Sequence, residues 1–362
     1  MKPIHFLFFF LIFFSKISFI NSSECSSTKN LKIGILKYEY IDYAPYLYYE
    51  IGNFASNSEI SYTIELVENN YDKFDIIFGE YYNLKKFQNK DLKFDDEIFD
   101  FYQINNIHLS GNILPLDLDT FVILSKNDQK KLTFDELSNF YNPVKYTLGI
   151  NFSPKDQLYK LFIYNLKRPI VENSDISLEY ILTLYSNAFA NINKNIIESN
   201  FLELVESFDS DENIYTVFSD GILLNKNINY KYFQLFPSAR YSWSDDAGFF
   251  KKSELEIPIS FFGFSAYINN QDNLGIICHL INEKVRINTF RNFNLQISPL
   301  SEKEIQSISL KLPNGYEDLL KNKNKYIYEI DSNEIKNYEL FMQIISRQSK
   351  FQDTLNLDNY LN

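Results

Sequence analysis

The run LKIGIL at 31–36, which passes at once into the polar and aromatic stretch KYEYIDYAPY, constrains the fold more than any other feature. A short apolar, β-rich run that ends in a loop and enters a helix is the βα unit of an open sheet. The unit recurs. A helix is expected from about Tyr43 to Phe54 and a strand near Tyr62 to Glu68, after which KFDIIFGEYYNLKKF repeats the pattern. In that repeat Asp75 to Phe78 is read as the strand, Gly79 as its end, and Glu80, Tyr81 and Tyr82 as the turn into a helix. Ligands of open α/β sheets bind in the crevice outside the carboxyl ends of the strands. The residues after Leu36 and after Phe78 are therefore expected to share one cleft, which makes Tyr38, Glu39, Tyr40, Glu80, Tyr81 and Tyr82 candidates for ligand contact.

Further along, NILPLDLDTFVILSKND places Pro115 and the pair Asp117/Asp119 just before a strand, Phe121 to Ser125, and reads as a crossing point. LTFDELSNF starts a helix with Thr133 as N-cap and Glu136 three residues later, the capping-box arrangement. A long helical stretch is expected from about Leu178 to Phe208, followed by the strands NIYTVFS and YFQLFP. The polar loop ARYSWSDDAGFFKKSELE then leads into IPISFFGFSAYI, an apolar strand of the kind buried on both faces.

The N-terminus has Lys2 in front of an unbroken apolar run, Phe6 to Phe14, and a small polar stretch at Asn21 to Ser23. That order reads as a secretory signal peptide over residues 1–22. The apolar run stops at Ser15 and Lys16, short of the roughly 18 residues that a membrane span needs. Export places the mature chain in the periplasm. Glu24 directly before Cys25 does not suit a lipidation site, so Cys25 reads as an ordinary thiol. Cys278 is the only other cysteine, and an exported chain permits one Cys25–Cys278 disulfide, with an unpaired, buried Cys278 as the alternative. About 340 residues can bury a large core without such a staple, so a bridge would fasten the N-terminal segment.

Charge and residue types remove several functions. The leader carries Lys2 and Lys16 and no acid, so its loss takes the net charge from -12 to -14. A chain that neutralises phosphates would carry basic stripes, and here the lysines are scattered among acids, which excludes most nucleic-acid binders. Only His5, His108 and His279 occur, and His5 leaves with the leader, so a three-histidine zinc site cannot be built. GxSxG, glycine-rich phosphate loops and HExxH are absent. The pairs Asp95/Asp96 and Asp245/Asp246 could serve a carbohydrate-cleaving enzyme, although adjacent aspartates more often mark a solvated loop. The expectation is a protein without a catalytic residue, a metal or a cofactor.

The order of landmarks resembles the extracellular solute-binding proteins of ATP-driven importers, in particular the maltose- and oligosaccharide-binding type. KFDIIFGEYY is similar to the family's strand entering the cleft, and LPLDLDTFVILSKNDQKKLTFDEL to its first interdomain crossing and the helix after it. YFQLFPSA followed by ISFFGFSAYINN is similar to its later strand and second crossing. Phe134 stands where that helix usually carries tryptophan. The resemblance implies an α/β, two-lobed, periplasmic-binding-protein-like type II architecture, each lobe a mixed sheet flanked by helices and hinged by crossing segments. It implies a first lobe from 31–119 plus 269–307, a second from 127–258 plus 315–362, and hinge crossings at 120–126, 259–268 and 308–314. It further implies a monomer that closes on a small molecule and delivers it to the membrane permease of an ABC-type importer.

A sugar cleft needs flat aromatic faces to stack on a pyranose and carboxylates to take its hydroxyl hydrogens. The ligand set expected here is Tyr38, Tyr40, Glu80, Tyr81, Asp117, Asp119, Tyr241, Trp243 and Asp245. The same acids with interleaved aromatics suit a polyamine or quaternary amine through charge pairing and cation–π contact, which is the second reading.

Overall fold

A computed structural model of the chain describes residues 30–36, 40–67, 70–85, 87, 96–104, 107, 109, 111–126, 132–133, 147–148, 215–220, 223, 229–236, 238–244, 249–255, 258, 260–293, 300–309 and 312–328, and the structural statements below concern these residues.

The first sheet takes β1 (Asn30–Leu36), β2 (Ser61–Val67), β3 (Ile76–Glu80), β4 (Ile113–Pro115) and a late strand, β13 (Phe264–Ile268), in the order β2-β1-β3-β13-β4. β1 runs parallel to β2 and β3, and β13 runs antiparallel to β3 and β4. The sheet is covered by α1 (Tyr40–Ser58), α2 (Tyr81–Lys85), α3 (Asp96–Ile104) and α4 (Gly275–Ile281). α1 buries Tyr43, Tyr46, Leu47, Ile51 and Ala55, spaced three and four apart as one helical stripe requires, while Pro45 faces out. Tyr43, Tyr46, Leu47 and Ile51 join Ile33, Ile35, Phe78, Leu114 and Ile276 in one core. On α4, His279 Nε2 lies 3.0 Å from the Glu50 carboxylate of α1, and its neighbour Cys278 is buried and disulfide-bonded. Cys25 lies outside the described residues.

The second sheet takes β6 (Phe121–Ser125), β7 (Thr147–Leu148), β8 (Tyr215–Ser219) and β9 (Tyr232–Leu235), in the order β7-β8-β6-β9. Val122 and Leu124 of β6 pack with Phe290 of α5 (Glu283–Phe293), Ile305 and Ile308 of α6 (Glu302–Ile308), and Tyr316, Leu319 and Leu320 of α7 (Tyr316–Asn322) in a separate core. α6 begins with a capping box: Glu304 N–H donates to Ser301 Oγ at 3.3 Å and Ser301 N–H donates to the Glu304 carboxylate at 2.8 Å. The other Glu304 oxygen takes Arg286 of α5 at 2.8 Å, and the Arg286 guanidinium also lies 4.7 Å from the centre of the Phe101 ring on α3. α5 is thereby tied to both cores. Burial pulls Arg286 below its ordinary pKa, with Glu304 opposing it.

A third, small sheet lies where the chain crosses between the other two. β5 (Leu118–Asp119) pairs antiparallel with β12 (Ser260–Phe262), and β12 pairs parallel with β14 (Ile327–Tyr328). The crossing is narrower than the sequence suggests, because 121–125 and 264–268 are inner strands of the two larger sheets. The apolar face of α6 and Leu300 join the second core instead of the first.

Three local expectations change. IPISFFGFSAYI is two strands in two sheets, divided at Gly263. Gly79 does not end its strand: β3 continues through Gly79 and Glu80, paired with Ser265 and Phe264. That glycine is needed for packing, since a Cβ on it would sit 2.5 Å from Leu36 Cδ1. The stretch read as a polar loop is an antiparallel hairpin, β10 (Ser238–Ser244) with β11 (Phe249–Leu255). Its alternation of aromatic and polar residues around DDAG is the strand and turn signal that the charges obscured. The helices expected at 134–140 and 178–208 lie outside the described residues. Among the described residues no helix is long and apolar enough to cross a membrane.

Candidate functional site

Glu80, Tyr81, Asp117 and Asp119 come together around Gly263, at the join of the first sheet and the crossing. Glu80 closes β3 opposite Phe264. Tyr81 N–H donates to Gly263 O at 2.9 Å, and Gly263 N–H donates to Asp117 O at 3.0 Å. Phe264 O accepts from the N–H groups of Leu116 and Asp117 at 2.8 and 3.0 Å. The Tyr81 ring packs on Phe262, centroids 4.8 Å apart. The Asp119 carboxylate occupies the space beside Gly263, where a Cβ would meet Oδ2 at 2.4 Å. All four side chains are buried, so the carboxyl end of β3 abuts packed crossing strands.

The second sheet contributes the other half of the arrangement. Asp220, directly after β8, exchanges two hydrogen bonds with Thr120: its N–H donates to Thr120 O at 2.9 Å, and its Oδ1 accepts from Thr120 N–H at 3.0 Å. Its Oδ2 accepts from Tyr316 O–H at 3.0 Å and from Lys323 Nζ at 2.8 Å. Lys323 opens the single 3-10 turn that joins α7 to β14, and the pair is sealed from solvent, with side chains 2% and 0% exposed.

Burial alone would disfavour the Lys323 ammonium, but the carboxylates of Asp220, Asp117 and Asp119 outweigh it and hold the pKa above the ordinary lysine value. The Tyr316 phenol is pushed well above its usual range by burial and then by Asp220, with Asp117 and Asp119 adding to the effect. One aspartate, Asp220, thus pairs with an internal cation beside the crossing, and Asp117 and Asp119 add to its field. A buried charge is tolerated when it is paired and hydrogen-bonded. Lys323 does for Asp220 what a bound ammonium would have to do, so that aspartate is matched within the chain.

Of the remaining expected ligand residues, Tyr40 begins α1, and Tyr241 and Trp243 lie on β10 in register with Lys252 and Phe250; their side chains are outside the described set. Tyr38 and Asp245 lie wholly outside the described residues. Among the described residues no group of three or more His, Cys, Asp or Glu side chains is placed to hold a metal ion. Asp220, Tyr316 and Lys323 were not singled out from the sequence. Asp220 follows the strand NIYTVFS and falls under the same end-of-strand rule that selects Glu80, whereas nothing in KNKNK distinguishes Lys323 from its neighbours.

The chain's structure is similar to solved substrate-binding proteins along almost their whole length. An ABC substrate-binding protein from Listeria monocytogenes in complex with cycloalternan matches with a TM-score of 0.60 at 11% identity, covering 91% of this chain and 97% of that one. The maltose-maltodextrin binding protein of Alicyclobacillus acidocaldarius matches with a TM-score of 0.58 at 11% identity, covering 92% and 100%. A spermidine/putrescine ABC transporter substrate-binding protein from Streptococcus pneumoniae matches with a TM-score of 0.54 at 13% identity, covering 88% and 99%. No protein-family model matches the sequence, and no curated protein does. The fold is the two-lobed, periplasmic-binding-protein-like α/β architecture. At these identities the likeness extends to the fold.

Proposed function

We propose that the protein is an extracytoplasmic receptor that captures a carbohydrate between its two lobes and presents it to the permease of an ABC-type importer. The observation that carries the solute-capture reading is the two-lobed fold with its strand ends and crossing segments gathered at one junction. The first lobe is built on the five-stranded sheet and the second on the four-stranded sheet, with residues 116–120 and 260–263 as the passages between them. Residues 1–22 act as the export signal, which puts the mature chain in the periplasm as a monomer. Cys25 is the partner of Cys278, since the chain has two cysteines and Cys278 is bonded. The reading needs no cofactor and no catalytic residue.

Within this reading the nine residues divide by role. Asp117, Asp119, Glu80 and Tyr81 form the buried floor at the crossing. Tyr38, Tyr40, Tyr241, Trp243 and Asp245 supply stacking faces and a hydroxyl acceptor from the two lobes. Polyamine capture is the second reading, favoured by the acid-rich crossing and by likeness to the spermidine/putrescine protein. Against it, Asp220 beside the crossing already holds the Lys323 ammonium, so an amine drawn to that carboxylate would have to displace a buried ion pair.

The test is thermal unfolding of the mature chain from Ser23 with sugars, polyamines, betaines and amino acids. A ligand at 100 times its Kd stabilises by about 2.7 kcal/mol. A rise with mono- or oligosaccharides that is lost in Trp243→Ala supports the carbohydrate reading. A rise with polyamines alone replaces it by the second.

A further inference from the structure

We propose that the segment Tyr316–Tyr328 is a lock on the crossing between the lobes, and that Lys323 is its bolt. This goes beyond ligand capture and does not depend on which ligand is bound. α7 docks on the second core through Tyr316, Leu319 and Leu320. The next turn brings Lys323 Nζ to Asp220 Oδ2 at 2.8 Å, and β14 then lies along β12, where Tyr326 O accepts from Ser260 N–H at 2.8 Å. One continuous segment therefore touches the second lobe, the ionic cluster and a crossing strand in succession.

The cluster joins the two sides. Asp220 belongs to the second sheet's end and is bound to Thr120. Asp117 belongs to the first sheet's side, since its backbone bonds Gly263 and Phe264. Asp220 Oδ2 takes both Lys323 Nζ and the Tyr316 hydroxyl, and β5, which ends in Asp119, packs beside the turn that carries Lys323. The Lys323–Asp220 pair holds this segment to the second lobe and the β14–β12 pairing holds it to the crossing, so together they resist any motion that separates the two. Without Lys323 the buried Asp220 carboxylate, which also holds the Thr120 N–H, is left without its cation, and the crossing loses an anchor.

The test is hydrogen exchange of the ligand-free mature protein, comparing wild type with Lys323→Met and with Lys325→Met, whose lysine is exposed. The expected result is exchange at least roughly tenfold faster at the Thr120, Ser260 and Gly263 amides in Lys323→Met, with the inner-strand amides of β1 and β6 unchanged and Lys325→Met like wild type. No change at the crossing, or the same acceleration everywhere, overturns the lock. If Lys323→Met fails to fold, Lys323→Met/Asp220→Asn removes one charge of each sign and serves instead. Fast exchange confined to the crossing in that variant supports the lock, and wild-type exchange there refutes it. Failure here leaves ligand capture standing, because that is read from ligand-dependent unfolding.

Discussion

Substituting Gly263 by alanine probes the crossing at its tightest point. The new methyl would lie 2.4 Å from Asp119 Oδ2 and 3.0 Å from its Cγ, so the carboxylate must retreat by about 1 Å to reach ordinary contact. Asp119 is 5% exposed and packed between strands, which leaves it little room. Overpacking of this kind costs about 1–3 kcal/mol. The loss of chain entropy in the unfolded state returns about 0.4–1 kcal/mol. Displacing Asp119 also weakens its attraction to Lys323, so the net expectation is a loss of about 1–2 kcal/mol. Urea denaturation of wild type, Gly263→Ala, Asp119→Ala and the double variant gives the coupling. The double variant should be more stable than the sum of the single losses predicts, by about 1 kcal/mol or more. A neutral or stabilising Gly263→Ala, or strict additivity, would refute the close contact as the reason for this glycine.

Tyr46, Tyr102 and Tyr316 are held above the ordinary tyrosine pKa chiefly by burial, and Lys323 above the ordinary lysine value by its carboxylates. A raised folded-state pKa gives stability that is complete below the unfolded value and lost as pH rises past it, so the urea midpoint should hold to about pH 10 and fall above it. A midpoint flat to pH 11.5 or so would contradict this, and Tyr316→Phe should weaken the fall while costing about 1.5–3 kcal/mol for the lost bond to Asp220. Arg286→Met leaves Glu304 buried without its cation and should cost about 3–5 kcal/mol by the same measurement, largely recovered in Arg286→Met/Glu304→Gln. Alkylation of the unfolded mature protein followed by mass spectrometry should modify Cys25 and Cys278 only after reduction; labelling without reductant would overturn the proposed pairing.

The parallel strands of the first lobe were legible because each is a short apolar run closed by a loop, and β6, β8 and β9 were legible for the same reason. The two halves of IPISFFGFSAYI were not separable by hydropathy, since both are fully buried and only the contact between Asp119 and Gly263 marks the break. The β10–β11 hairpin was hidden by its charges: Lys251, Lys252 and Glu254 made an alternating strand look like a solvated loop. At the candidate site, Glu80 and Tyr81 were picked out as residues after a strand and Asp117 and Asp119 as acids of a crossing, and the structure places the four around Gly263. Their burial, and the lysine that pairs with Asp220, were not legible. Lys323 lies 103 residues from Asp220 and reads as one more surface lysine until the segment Tyr316–Tyr328 packs along the crossing.

Small-angle scattering of the mature protein, alone and with a mixture of malto-oligosaccharides, tests capture between closing lobes most directly. Saturable binding should reduce the radius of gyration, with the same midpoint as the rise in thermal stability, and Trp243→Ala should lose both effects. Binding that raises stability while leaving the radius unchanged would contradict closure, and no response to any sugar beside a clear response to a polyamine would contradict the carbohydrate reading.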